Sequence, residues 1–464
     1  MTVDTSLVPR RGRGTELVLL LFAAGIATGA YVAVDLGALG RVPPNALAYL
    51  GGLLLIAGTA HVIVRRWAPH ADPVILPLVV TLNGLGLAMI HRLDLADAEA
   101  ARQAGEAIPR AAAPVQLTWM VVGVALFVLV LVLVPDYRVL SRYAYTAGVL
   151  GIVLLLLPLV PGLGYDIRGA QIWISIGPMN FQPGEAAKIV LIVAFAAYLV
   201  RTKDALAHAG RRVLGIDLPR ARDLGPILVV WLMALGILAF ERDLGPSLLL
   251  FGVFVVMIYV ATERFSWIVV GAALFVVGGL AANAVFGHVQ ARIDGWLDPF
   301  ADVDRFGQIV QSLYGLAYGG EIGTGLGRGR PDLVPFAVSD FIAAAFGEEL
   351  GLTGLMAIIV IYALLVSRGL RAALVLRDPF GKLLAAGLAT VLLLQVFIVI
   401  GGVTKLIPLT GLTTPFLSLG GSSLVMNWVL VALLMRLSDA ARRPAPIPAP
   451  VRVDEAVTQV VKLQ

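Results

Sequence analysis

Residues 287–341 set four aspartates close together, Asp294, Asp298, Asp302 and Asp304, with Arg292, Arg305, Gln308, Gln311 and Ser312 among and just beyond them. A carboxylate in such company can take a proton from an attacking hydroxyl, and nearby cations can stabilise a departing anion. Spacing alone does not choose among the four. Asp298 precedes Pro299 and reads as a turn-shaping residue, whereas Asp302, beside Phe300 and Phe306, can sit at the rim of a pocket. The glycine-rich run 319–332 has neither the Gly-Lys-Ser/Thr of a P-loop nor a G-x-G-x-x-G pattern. It reads either as a flexible turn or as backbone amides facing a phosphate.

A second set of candidates consists of ionisable residues at or near membrane depth: Glu185, Lys188, Asp243, Glu348, Glu349 and Lys405. Each costs free energy there and is usually paired or functional. Glu185 and Lys188 are three residues apart, so a helix lets them pair locally. Asp243 stands where it can cap the helix that follows it.

These residues need a scaffold, and composition says which kind. Of 464 residues, 59% are hydrophobic and 14% charged, with mean hydropathy +0.90. That is the signature of a membrane protein. With no cysteine, disulfides and thiol chemistry are excluded, and the five scattered histidines have no metal-ligand spacing. A span needs about 20 apolar residues. Twelve stretches qualify: 16–39, 45–64, 73–91, 115–134, 143–160, 184–200, 224–240, 245–261, 266–286, 343–366, 382–402 and 421–437. The fold class is therefore all-α and polytopic, with the first span uncleaved and 287–341 as one long, unstructured connection. A connection of that length is usually functional.

Sidedness follows from the basic residues. With both termini inside, 23 of the 35 Lys and Arg fall in inner segments or at inner helix ends, the favourable assignment under the positive-inside rule. That places 287–341 outside the cytoplasmic membrane. It also explains the net charge of +5 without a nucleic-acid partner. Two further outer segments, 165–185 and 405–423, mix Gly, Pro and polar residues. Non-helical backbone survives at membrane depth only against protein or a wet cavity, so both are expected to wall a polar cavity open to the outside. Residues 442–450, rich in Pro, are expected to be extended.

Five motifs, in order, carry a resemblance: RGAQIWISIGPMNFQPGEAAK at 168–188, RDLGPSLL at 242–249, WLDPFADVDRFGQIVQS at 296–312, SDFIAAAFGEELGLTG at 339–354 and LTGLTTPFLSLGGSS at 409–423. Together they resemble the SEDS family of peptidoglycan glycosyltransferases, and the last is closer to its elongation-type branch than to its division-type branch. The resemblance covers about residues 73–437. It implies a ten-helix core there, with 1–72 adding a tail and two helices and 438–464 a disordered cytoplasmic tail.

The chain departs from the family pattern in places. Ile172 stands for the usual Arg, Gly184 for Ser and Val338 for His, and the usual Asp-Pro is Asp302-Val303.

The resemblance further implies an inverting polymerisation of lipid II, a polyprenyl-pyrophosphate-linked disaccharide pentapeptide, for cell-wall elongation. Aligning Pro299 puts the family's catalytic base on Asp302, with Asp304 the alternative. Arg168, Lys188, Arg292, Arg305, Lys405, Gln311 and Ser312 are the candidates for binding substrate and pyrophosphate. Gln182, Glu185, Asp243, Asp340, Glu348, Glu349 and Ser422 are candidate structural or cavity groups. No organic cofactor is implied; a divalent cation, Mg2+ or Mn2+, is the one possible addition. The implied partner is a class B penicillin-binding protein. A lipid II flippase and a division-type polymerase are the alternative readings.

Overall fold

Long apolar runs leave the chain little choice but helices, since a helix alone satisfies its own backbone in hydrocarbon. The computed structural model describes residues 13–444 apart from 168–169, 178, 208–210, 214–215 and 219–220. Its helices are α1 (Arg13–Leu39), α2 (Ala46–Trp67), α3 (Ile75–Ala104), α4 (Ala113–Leu133), α5 (Ala144–Leu156), α6 (Pro183–Ala207), α7 (Ala221–Phe240), α8 (Leu244–Thr262), α9 (Ser266–Val285), α10 (Gly287–Leu297), α11 (Val303–Gly319), α12 (Ile342–Val375), α13 (Pro379–Val403) and α14 (Gly421–Arg442). Every expected span falls on one of them. Among the described residues eleven helical segments are long and apolar enough to cross a membrane, α5 counting with the short turns that extend it to Tyr137–Leu159, and the apolar part of α7, Leu228–Phe240, is shorter.

Burial sorts centre from rim. In their most apolar windows α3 is 83% buried and α13 and α14 are 78% buried, against 6% for α9. Trp428 of α14 anchors the centre, with Phe127 and Phe416 meeting it edge-on at 5.4 and 6.2 Å. The peripheral helices expose large side chains such as Leu55, Val277 and Leu280, as a lipid-facing surface must. α14 runs on through Arg442, beyond the expected end at 437. Buried Ser438 and Asp439 accept hydrogen bonds there from the amides of Asp72 and His70, at 2.9 and 2.8 Å. Residues 445–464, most of the expected disordered tail, lie outside the described residues.

One non-helical segment takes a definite form, and one expectation needs correction. The described residues within 164–181 form a small antiparallel sheet, β1 (Gly164–Ile167), β2 (Ala170–Ile176) and β3 (Met179–Phe181), with Tyr165 opposite Trp173 and Ile174 opposite Phe181. Gln171 ties it to the end of α5 by donating to the Pro158 carbonyl at 3.0 Å.

The long connection is not unstructured either, since α10 and α11 occupy most of it. α11 carries apolar residues at helical spacing (Phe306, Ile309, Val310, Leu313, Leu316) and lays that face on α12, beside Phe341 and Ala344. Before and between them stand Asp304, Arg305, Gln308 and Gln311, which keep the average hydropathy low and hide the period in a hydropathy scan.

The glycine-rich run has a definite partner, and it is not a phosphate. α12 breaks at Gly351, whose φ is +69°, a conformation glycine adopts at little cost. A break orphans backbone groups on both sides. Thr324 and Gly325 donate to the Glu348 and Glu349 carbonyls at 3.0 and 2.9 Å, and Leu352 and Thr353 donate to Gly320 and Glu321 at 2.9 and 3.1 Å. The run thus fills the gap in the helix. Its amides also face carboxylates: Gly327 N donates to Glu349 at 2.9 Å, and Arg330 N to Glu348 at 2.6 Å. Arg92 completes the cradle, donating to Glu349 at 2.8 Å and to the Gly329 carbonyl at 2.7 Å.

The first two helices buttress this run. A Cβ on Gly37 would stand 2.0 Å from the Leu326 carbonyl oxygen, and one on Gly327 would stand 2.3 Å from that of Val34. The backbones therefore touch. Asp35 pairs with His91 at 2.7 Å and Tyr31 stacks on Tyr49 at 4.3 Å, fixing α1 to α2 and α3. Gly327 has φ +80°, so Gly327→Val adds left-handed strain to the clash, a cost of about 2 kcal/mol or more. We expect Gly327→Val and Gly37→Val each to lower the thermal unfolding midpoint of the purified protein; unchanged midpoints would mean that α1 merely lies against the run.

Candidate active site

α10 and α11 form a hairpin that touches where Gly295 faces Phe306; a Cβ at 295 would lie 2.7 Å from the ring. The connecting turn is shaped by Asp298, which accepts from Phe300 N at 3.1 Å. Asp302 heads α11 as its N-cap and accepts from Arg305 N at 3.0 Å. Asp304 lies in the first turn, and the Arg305 guanidinium covers the Phe306 ring at 5.2 Å. Asp294, Asp298, Asp302 and Asp304 are all exposed. Further along α11, Gln311, Tyr314 and Tyr318 line a cavity of about 470 Å³ whose other wall is the glycine-rich run, with Arg328, Arg330 and Glu348. The Phe300 ring lies 6.2 Å from that of Tyr314, so the turn next to Asp302 reaches this cavity.

α10 is seated on the non-helical stretch 404–420. Trp296 Nε1 donates to the Lys405 carbonyl at 3.1 Å, Lys405 Nζ to Leu297 O at 3.4 Å, and Arg292 to Leu409 O at 2.7 Å. Lys405 is held at φ +60°, strained for a side chain with a Cβ. The stretch survives at membrane depth because protein groups satisfy it: Gln116 donates to Ser418 O at 2.9 Å, Gln395 to Thr413 O at 3.0 Å, and Tyr362 to Pro415 O.

Beneath the hairpin a polar track leads inward. The Arg292 guanidinium and the Asp340 carboxylate flank Gly411, at 3.6 and 3.7 Å from where its Cβ would be. Asp243 is the next acid. It occupies the N-cap position of α8, yet its side chain makes no cap bond and accepts from Gln182 at 3.2 Å instead. Gln182 N donates to Ser422 at 2.9 Å. At the inner end Lys188 donates to Glu185 at 2.8 Å and to Gln395 at 3.1 Å. That cluster borders a void of about 20 Å³, room for about one water.

Electrostatics along the upper track are tuned by burial. The Asp243 carboxyl is pushed up to about 7, by burial first and then by Glu185 and Asp340, with Arg292 opposing. Glu241 is pushed up to about 8 by burial and by Asp243. Burial lowers the Arg292 guanidinium, against the pull of Asp243 and Asp340. An acid whose folded pKa is raised holds its proton longer in the folded state, so stability falls as pH rises from its unfolded value towards the folded one. Thermal stability should therefore decline between about pH 4 and pH 7–8, and Asp243→Asn should flatten that decline. An unchanged pH profile in Asp243→Asn would remove Asp243 from the titration.

The fold thus separates the candidates. Asp302, Asp304 and Arg305 share the exposed head of α11. Arg292, Asp340, Asp243, Gln182, Glu185, Lys188 and Ser422 share the track, and Lys405 joins the two levels through Leu297. Glu348 and Glu349 belong to the cradle, with Gln311 across the cavity from Glu348. Ser312 is buried, its hydroxyl 3.5 Å from Val403 O. Arg168 lies outside the described residues. Among the described residues no group of three His, Cys, Asp or Glu could hold a metal ion.

The sequence does not mark Arg92, because the apolar third span stops at 91 while α3 runs on to Ala104. Nor does Gln395 stand out, although a lone amide inside an apolar helix is a signal.

Comparison with known proteins bears on the family and the fold. A family model described as cell cycle protein, covering FtsW, RodA and SpoVE, matches residues 73–443. The peptidoglycan glycosyltransferase RodA of Mycobacterium tuberculosis is 50% identical over 442 residues, 95% of this chain and 93% of that one. Among solved structures, a mutant of the rod shape determining protein RodA from Thermus thermophilus superposes with a TM-score of 0.55 at 25% identity, covering 81% of this chain and 99% of that one. A chain from a peptidoglycan synthase complex, described for its coordination of polymerization and crosslinking, gives 0.54 at 25% identity over 85% and 98%. With four-fifths of its length inside the family's bounds, and its helices in the family's arrangement, the chain belongs to the FtsW, RodA and SpoVE family of cell cycle proteins.

Proposed function

We propose that this multi-pass protein of the cytoplasmic membrane is a peptidoglycan glycosyltransferase that polymerises lipid II into glycan strands for cell-wall elongation. Both termini lie in the cytoplasm and α10–α11 face outward. The observation that carries the reading is an exposed Asp302 at the head of α11, beside a turn whose Phe300 meets Tyr314 in the wall of the cavity of about 470 Å³. The near-complete match to relatives named for this activity supports it.

In the reaction an acceptor sugar hydroxyl attacks the anomeric carbon of a second lipid-linked saccharide. The new C–O bond forms as the bond to phosphate breaks, and the electron pair leaves with polyprenyl pyrophosphate. Asp302 takes the hydroxyl proton. A glycosidase needs a second carboxyl because its alkoxide leaves poorly; pyrophosphate leaves as a stable anion, so cations replace that acid. Arg305, on the first turn of the helix Asp302 caps, and Lys405, held against Leu297, are the cations assigned to it. Arg292, committed to Leu409 and flanked by Asp340 and Asp243, holds the hairpin on its seat.

A class B penicillin-binding protein is the proposed partner, receiving the strand for crosslinking. The similarity to a chain of a synthase complex that couples the two activities supports this. The test is conversion of purified lipid II to glycan chains by the detergent-purified protein. Polymer is expected. Transbilayer movement of labelled lipid without polymer would point instead to a flippase.

A further inference from the structure

At the end of the bundle opposite the α10–α11 hairpin lies a second cavity, of about 330 Å³, between the start of α3 and the ends of α12 and α14. Its polar lining is one-sided in charge. Arg368, Arg371 and Arg442 face a single acid, Asp72. Asp72 is already engaged: it pairs with Arg442 at 3.3 Å and Arg368 at 3.6 Å, and it accepts from Val74 N at 3.0 Å. One carboxylate cannot neutralise three guanidiniums, so two positive charges remain in excess. The Arg368 Nε is buried with no hydrogen-bond partner, and Arg371 forms no ion pair among the described residues. Donors without acceptors in a walled pocket are set for an anion bearing several oxygens, and guanidinium forks match phosphate.

We propose that this pocket binds the phosphodiester headgroup of an anionic phospholipid. The lipid source, rather than a free phosphate ion, follows from the flank of the pocket. Val74, Ala372 and Val375 form its apolar wall, and α12 continues that wall outward with Leu370 and Leu374, the latter 82% exposed. Beyond its break at Gly351, α12 runs unbroken from Leu352 to Val375, about 36 Å at 1.5 Å per residue, so it outreaches a hydrocarbon core of about 30 Å. Its last turn therefore stands at interfacial depth, where a basic pocket between spans meets headgroups and its leucines meet acyl chains. None of these residues belongs to the hairpin or the polar track, so the proposal stands or falls apart from the catalytic assignment.

The full chain, purified in detergent, is titrated in mixed micelles with phosphatidylglycerol, with phosphatidylcholine, and separately with inorganic phosphate, while thermal unfolding is followed. Phosphatidylglycerol should raise the midpoint. Phosphatidylcholine and inorganic phosphate should not. Arg371→Gln and Arg442→Gln should each weaken the phosphatidylglycerol response about tenfold while keeping a cooperative unfolding transition without added lipid, which shows that the variants are folded. Equal protection by the two lipids, an undiminished response in both variants, or protection by inorganic phosphate matching that of the lipid would overturn the proposal.

Discussion

Asp302→Asn should abolish glycan polymerisation while leaving the protein folded. The substitution separates the two roles of this residue. As an N-cap, asparagine serves about as well as aspartate, because its side-chain oxygen still accepts from Arg305 N. As a general base it fails, since the amide cannot take the hydroxyl proton. Loss of a positioned base costs about 10²- to 10⁴-fold in rate. Initial polymerisation rates of the two proteins, at matched unfolding midpoints, measure that loss directly. Asp304→Asn and Asp298→Asn are the controls. Asp304 caps nothing and Asp298 shapes only its turn, so each should keep most of the activity. Full activity in Asp302→Asn would remove this residue from the chemistry, and loss on Asp304→Asn alone would transfer the role two residues along.

The largest stability effect belongs to Arg92. Its side chain and that of Glu349 are 6% and 0% exposed, so each charge depends on the other and on the amides around it. Removing one partner of such a pair typically costs about 3–5 kcal/mol, because the survivor is left charged and buried. Arg92→Leu should therefore lower the unfolding midpoint sharply and loosen the glycine-rich run, which loses its tie at Gly329. Adding Glu349→Gln should restore part of the loss, since the orphaned charge is then gone. A double variant no more stable than Arg92→Leu would mean that the arginine acts through packing rather than through its charge.

What was legible in the sequence was what depends on near neighbours. The spans follow from hydropathy over about 20 residues, the Glu185–Lys188 pair from helical spacing, and the Asp298 turn from the proline that follows it. What stayed hidden depends on partners far away in the chain. Asp243 looked like a cap but turns to Gln182, 61 residues earlier. The glycine-rich run read either as a flexible turn or as amides facing a phosphate; the anions it meets are Glu348 and Glu349 of the helix it repairs. α11 escaped notice because one apolar stripe on an otherwise polar helix barely registers in average hydropathy. The family motifs pointed to Asp302, whereas its place at the head of a helix, with its carboxylate open to solvent, required the fold.

The central claim is that Asp302 works beyond the outer surface of the membrane. The chain has no cysteine, so Ala301→Cys, at an exposed position beside Asp302, would carry the sole thiol. Treated with a membrane-impermeant maleimide, intact cells expressing this variant should label it at once. A thiol that reacts only after the cells are lysed would place the carboxylate in the cytoplasm and contradict the account.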